Sequence, residues 1–181
     1  MKIIKTESIT LRMNQKILNR IKKEAKHNRT SVNTLASQVF QDYVDYNALA
    51  AKAGMVSFPK SLLVRLMDNL SDKEFEKTAE WIMENEMKDV ILLLTNDYDT
   101  DSILDMIESW VRISGFTYRH DYDSHGRHKF LIQHDMGTRW SLFFEKLFRY
   151  TFEDVQQQDV EFEITRDMIS FNLDAGSGVE K

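Results

Sequence analysis

Polar and apolar residues alternate through Ser8-Ile9-Thr10-Leu11-Arg12-Met13-Asn14, the two-residue period of a half-buried strand. From Gln15 the period lengthens. Ile17, Leu18, Ile21 and Ala25 recur at three- and four-residue intervals, the stripe of an amphipathic helix whose other face is rich in Lys and Arg. Asn28-Arg29-Thr30 breaks that stripe, and Ser31 is a good N-cap for a second helix. This helix carries Leu35, Val39, Phe40, Tyr43 and Val44 on one side and runs on to Gly54, a natural stop. Residues 1–54 therefore read strand, helix, helix.

Pro59 suits a first helical position, and Leu62, Leu63, Leu66 and Met67 form a brief helix behind it. Ser71-Asp72-Lys73-Glu74 is a capping box opening a helix through Phe75, Ala79 and Trp81. Further helical stretches hold the run from Val90 to Leu94 and, from about Ser102, the inward set Ile103, Ile107, Trp110 and Val111. The period then shortens to two. Phe116, Tyr118, His120 and Tyr122 share one side of a strand, and Phe130, Ile132 and His134 one side of its return, with Asp123-Ser124-His125-Gly126-Arg127 as the turn. Residues 138–153 carry Trp140, Phe143, Phe144, Leu147, Phe148 and Thr151 on a helical stripe. Residues 160–164 and 169–173 close as a second hairpin, and 175–181 read as a disordered tail. The expected organisation is α+β. A strand-helix-helix module at 1–54 is followed, over 55–174, by a helical segment and an antiparallel hairpin-helix-hairpin domain.

Charge changes this picture more than composition does. The 181 residues hold 24 Lys+Arg and 29 Asp+Glu, a net −5. Residues 1–40 contain nine basic and two acidic side chains, or +7, so the rest holds 15 and 27, or −12. A basic module is joined to an acidic one. Cys is absent, which excludes disulfides, thiolate metal sites and Cys nucleophiles. No apolar run is long enough to span a membrane, and no signal peptide or phosphate-binding glycine loop is present. A cytoplasmic protein that is not an enzyme and requires no cofactor is expected.

A lone strand at 8–14 cannot satisfy its own backbone, and the module offers no partner strand. Pairing with the same strand of a second chain is the simplest remedy. Such a ribbon would turn Ile9, Leu11 and Met13 inward and leave Ser8, Thr10 and Arg12 on an open face able to enter the major groove of DNA. The start of the second helix at Ser31-Val32-Asn33 presents N–H groups suited to phosphate. Lys22, Lys23 and Lys26 add salt-sensitive attraction.

With those residues in view, 7–45 resembles the ribbon-helix-helix family of DNA-binding proteins, of the Arc and methionine repressor type. The resemblance rests on Ser8 to Asn14, Ile17-Leu18 with Ile21 and Ala25, and Ser31 with Asn33 and Leu35. It covers about a fifth of the chain and implies an intertwined homodimer reading a palindromic operator in double-stranded DNA. Ser8, Thr10 and Arg12 match the base-reading positions, and Ser31, Val32 and Asn33 the phosphate-binding turn. One position departs from the family pattern: Arg29 stands where Gly or Asn usually holds a left-handed turn.

Three constellations in the acidic part bear on chemistry. His120, His125, His128 and His134 lie within fifteen residues. If Tyr122 faces His128, then His120 and His128 are diagonal neighbours on one face with His125 in the turn, a divalent-metal candidate suited to zinc or nickel, with His134 out of reach. The competing reading is partly buried strand residues plus an exposed turn histidine. Asp97, Asp99, Asp101, Asp105 and Glu108 follow the spacing of a calcium loop, but Ser102 replaces its glycine, so caps for a helix are the better reading. Residues 134–141 combine His, Asp and Ser without nucleophile-elbow spacing. They are similar to the hairpin-to-helix junction of C-terminal domains in uncharacterised archaeal regulators, which implies no mechanism. The expectation is a dimeric, or tetrameric, transcriptional regulator of repressor type, whose acidic domain senses a small-molecule or metal effector or sets the oligomer. The alternatives are an antitoxin-type autoregulator and a metal- or ligand-binding protein using the ribbon only to dimerise.

Overall fold

The computed structural model describes residues 7–95, 99–123, 127–155 and 157–173. The chain divides into two compact units, Met1–Gln41 and Asp42–Lys181. The expected tail at 175–181 lies outside the described residues.

In the first unit, residues 7–14 carry no regular secondary structure, and the first element is helix α1, Gln15–His27. The strand expected at Ser8–Asn14 is therefore corrected. Every described strand lies between 117 and 173, so the fold is a helix-first α+β arrangement and not an N-terminal strand-helix-helix ribbon. The physical reason is hydrogen bonding. Alternation sorts side chains to two faces, but a strand also needs a neighbouring edge to receive its N–H and C=O groups. The described strands pair only among themselves.

Helix α1 begins where the Asn14 side chain accepts from the Lys16 N–H at 2.8 Å. It ends with Thr30 N–H donating to the Ala25 carbonyl at 2.9 Å, which requires Arg29 to take a left-handed φ of 53°. Helix α2, Val32–Asp42, opens under Ser31, whose hydroxyl accepts from the Thr34 N–H at 3.0 Å. Among the described residues of this unit only Ala25 is buried. Ile9, Leu11, Met13, Ile17, Val39 and Phe40 are exposed.

The helical run begun by α2 continues through a π-helical segment, Tyr43–Asn47, into α3, Ala48–Lys52. It stops at Gly54, whose φ of 73° suits a residue without Cβ. Helix α4 spans Lys60–Asp68, and α5 spans Asp72–Ile82 behind a complete Ser71–Glu74 capping box. A second π-helical segment, Met83–Met87, leads into α6, Lys88–Thr95. Helix α7, Thr100–Ile113, precedes strands β1, Thr117–Tyr122, and β2, His128–Gln133. Helix α8, Thr138–Arg149, then runs through a third π-helical segment, Tyr150–Val155, to β3, Val160–Ile164, and β4, Met168–Leu173.

The two hairpins form one antiparallel sheet in the order β1-β2-β4-β3. Its register aligns cross-strand rows on the inner face: His120–Phe130–Phe171–Phe162 and Tyr118–Ile132–Ile169–Ile164. Ile103, Leu104, Ile107 and Val111 of α7 and Phe144 and Phe148 of α8 join this core. The other face stays polar and exposed at Arg119, Asp121, Lys129, Glu161, Glu163 and Asn172, as an antiparallel sheet covered on one side should. Helix α5 is tied to α8 by Arg139–Asp72 and Lys146–Glu76 ion pairs, each 2.7 Å.

Arg29 supplies a test of the α1–α2 turn. An L-residue in the left-handed region costs about 1 kcal/mol relative to glycine. In Arg29→Gly, amide hydrogen exchange across α1 should slow by about fivefold if opening of that helix breaks the turn. Unchanged or faster exchange would show that the turn is not under strain.

Candidate functional site

The residues expected to meet nucleic acid all lie in the first unit. Ser8, Thr10 and Arg12 sit on the irregular segment before α1, with exposed side chains and no strand to align them. Lys22, Lys23 and Lys26 are exposed on α1, with Lys22 and Lys26 one turn apart. Ser31 and Asn33 are exposed at the start of α2 and Val32 is half-buried, but the Ser31 hydroxyl is engaged by Thr34. Among the described residues, Arg12, Lys16, Arg20, Lys22, Lys23, Lys26 and Arg29 have no carboxylate partner within ion-pair distance. In the second unit Arg112, Arg119, Arg127, Arg139, Lys146, Arg149 and Arg166 each meet an Asp or Glu, whereas Lys52, Lys60, Arg65, Lys73, Lys77 and Lys129 make no ion pair among the described residues.

In the second unit the sheet brings His120 and His128 together. Tyr122 faces His128 and His120 faces Phe130, the register read from the sequence. His120 Nε2 lies 2.9 Å from His128 Nδ1, and the rings stack with centroids 5.2 Å apart. The opposite nitrogen of His120, Nδ1, lies 3.2 Å from Glu108 Oε2, while the Tyr118 hydroxyl donates to Glu108 Oε1 at 3.1 Å. Burial, with His120 beside it, holds the His128 pKa below the ordinary histidine value. Burial and then Glu108 push the Tyr118 phenol up. His125 lies outside the described residues. Among the described residues, no group of three or more metal-ligating side chains converges. Glu108 and Tyr118 could not be placed at this pair from sequence, because α7 reaches β1 only through the tertiary fold.

His134 is not part of that pair. It is fully buried, its Nδ1 accepts from the Met136 N–H at 3.1 Å, and its Nε2 lies 2.9 Å from Ser141 Oγ. The Met136 bond fixes the ring proton on Nε2, which therefore donates to Ser141. The Ser141 hydroxyl in turn donates to the Arg166 carbonyl at 3.1 Å. Activating a serine requires the reverse, a hydroxyl donating to the imidazole. The chain of bonds is a lock between the β2 end, α8 and the loop before β4. Asp167 extends it by accepting from the Gly137 N–H at 2.8 Å through its carboxylate and from the His134 N–H at 3.0 Å through its carbonyl.

Of the acidic series, Asp97 lies outside the described residues. Asp99 is the N-cap of α7: its carboxylate accepts from the Ser102 hydroxyl and from the Ser102 N–H at 2.9 Å, and these bonds, the hydroxyl's first, draw its pKa down. Asp105 is shifted up by burial, then by Glu108 and Asp101 nearby. Among the described residues, no helix is long and apolar enough to cross a membrane. No family model matches the chain, and no curated protein matches it.

His134 carries a pH dependence. Burial, then Lys60, hold its pKa below the ordinary 6.5, outweighing Asp167 and Asp135. The unfolded chain therefore takes up a proton on this ring at a higher pH than the folded chain does. Stability is full above 6.5 and falls as pH drops through the folded value. The urea midpoint should decrease from about pH 7.5 to about pH 5.5, and decrease less in His134→Gln. An equal decrease in both proteins would assign the effect to other groups, His128 first.

Proposed function

We propose that the protein is a sequence-specific DNA-binding transcription regulator acting as a homodimer, with double-stranded DNA held by the N-terminal unit. One observation carries this reading. The described cations of α1 and its flanks stand exposed without carboxylate partners, while in the acidic unit Arg112, Arg119, Arg127, Arg139, Lys146, Arg149 and Arg166 are paired. The net +7 over residues 1–40 creates a field that a polyanion neutralises with release of its counterions. Lys22, Lys23 and Lys26 then serve phosphates of any sequence, together with the N–H groups at Ser31, Val32 and Asn33. Ser8, Thr10 and Arg12, exposed just ahead of α1, have the donors and reach for base edges.

The missing core of the first unit supports the homodimer. A unit whose described residues bury only Ala25 and expose Ile9, Leu11, Met13, Ile17, Val39 and Phe40 gains little by folding alone. A second copy supplies the same apolar side chains to cover it. The likeness of residues 7–45 to ribbon-helix-helix proteins points to the same ligand, although the strand of that family is not part of the fold described above. The acidic unit, with a sheet and core of its own, takes the effector-sensing or oligomerising part.

Binding to a duplex carrying the protein's own promoter, followed beside an unrelated duplex, tests the assignment. Arg12→Ala should lose about 1–3 kcal/mol of discrimination between the two duplexes. Changing Lys22, Lys23 and Lys26 together to Gln should weaken both complexes alike. Retention of the wild-type preference by Arg12→Ala and Thr10→Ala would remove these residues from base readout.

A further inference from the structure

We infer that His120 and His128 form a two-histidine site for a borderline divalent metal ion such as Zn2+, with Glu108 orienting the first ligand. Three observations converge. First, the two nitrogens that face each other, His120 Nε2 and His128 Nδ1, are already 2.9 Å apart. Two imidazoles bound to one tetrahedral ion at about 2.0–2.1 Å stand about 3.3 Å apart, so a small ring rotation opens the space. The rows that place these rings are fixed by the sheet, since Tyr122 faces His128 and His120 faces Phe130.

Second, the tautomer is set in advance. Glu108 Oε2 accepts from His120 Nδ1 at 3.2 Å, and Tyr118 holds the other carboxylate oxygen at 3.1 Å. With its proton on Nδ1, His120 presents a lone pair from Nε2. A carboxylate behind the distal nitrogen is the arrangement that raises the basicity of a ligating histidine and fixes its ring. His128 donates from Nδ1 in the absence of an ion. Carrying its proton on Nε2 instead gives a second lone pair at the same point, with no change in net protonation.

Third, His128 is only half-buried, and carboxylates of α7 lie near the pair. His128 forms part of the wall of a groove of about 800 Å³ at that end of the sheet. Asp101 acts on His128, and Glu108 and Asp101 of the neighbouring α7 act on Asp105 between them. No third protein ligand among the described residues joins the two imidazoles. The remaining positions on the ion belong to water, which makes the site one of moderate affinity with exchangeable coordination. Its ligand pair of neutral imidazoles favours zinc or copper over magnesium or calcium, which take oxygen. The site lies wholly in the second unit and does not depend on the DNA-binding reading.

Zn2+ added to the full chain, with binding followed by calorimetry, is the test. Wild type should bind one ion at the site with a dissociation constant on the order of micromolar to tens of micromolar. His120→Gln and His128→Gln should each weaken it at least about tenfold, and Glu108→Gln by about 10–100-fold through lost orientation. Mg2+ at the same concentration should give no signal. Because a variant in the sheet can unfold, ring resonances of the wild-type protein provide a second reading. Sub-stoichiometric Zn2+ should shift or broaden His120 and His128 and leave His134 unmoved. Binding of equal strength in both His→Gln variants, ring signals unmoved by Zn2+, or no binding at about 1 mM would each overturn the site.

Discussion

The body of the protein is organised by the need to keep water off one face of its sheet. Phe130, Ile132, Ile169, Phe171 and Leu173 project from the two central strands and are essentially fully buried. Two neighbouring strands cannot bury such a face by themselves, so α7 and α8 are laid across it. The choice of helix residues follows from that constraint. Ile103, Ile107 and Val111 recur at helical spacing on α7, and Phe144 and Phe148 do so on α8. Truncating any of these aromatic side chains would cost about 3–5 kcal/mol, a large part of a domain's stability. Where the buried row runs into polar residues the structure supplies partners, as it does for His134 through Met136, Ser141 and the Arg166 carbonyl.

The same covered face explains why His120 and His128 meet. Both lie on the inner side, at the end of the sheet where the aromatic rows run out, and stacking of His120 on Phe130 at 3.9 Å keeps its ring in place. Glu108 reaches His120 because α7 packs on β1 there. An apolar packing requirement thus assembles a polar cluster that no local sequence element contains. The first unit is governed by the opposite circumstance. Among its described residues only Ala25 is buried, and its described cations have no carboxylate partner. Among the described arginines the half with a core pairs six of its seven, Arg65 excepted, and the half without one leaves Arg12, Arg20 and Arg29 exposed and unpaired.

How much of this was legible in the sequence depends on the range of the interaction concerned. Local signals were readable. The Ser71–Glu74 capping box, the stop at Gly54, the left-handed Arg29 and the Tyr122–His128 register are all set by residues within a few positions of one another. The alternation at Ser8–Asn14 misled because period two records the faces of an extended chain and not the presence of a partner edge. Continuity of the helix from Val32 through the π-helical Tyr43–Asn47 was readable in outline, but the extra residue per turn was not, since hydrophobic spacing barely differs. Contacts across the fold were out of reach. Glu108 was assigned only to an acidic series, and the six residues between His134 and Ser141 gave no sign that a buried bond joins them. The His134–Ser141 pair also shows why composition of a motif is weaker than direction of its hydrogen bonds. The residues of a hydrolase are present, and the protons point the wrong way.

The central claim is that unpaired cations on the N-terminal unit make this acidic chain a DNA-binding protein. Its most direct measurement is the affinity for duplex DNA as a function of salt. Neutralising about six or more phosphates predicts a linear fall of log K with log salt, with a loss on the order of a thousandfold between about 50 and 200 mM. An affinity that is absent at the lowest salt, or one that does not change over that range, would contradict the account.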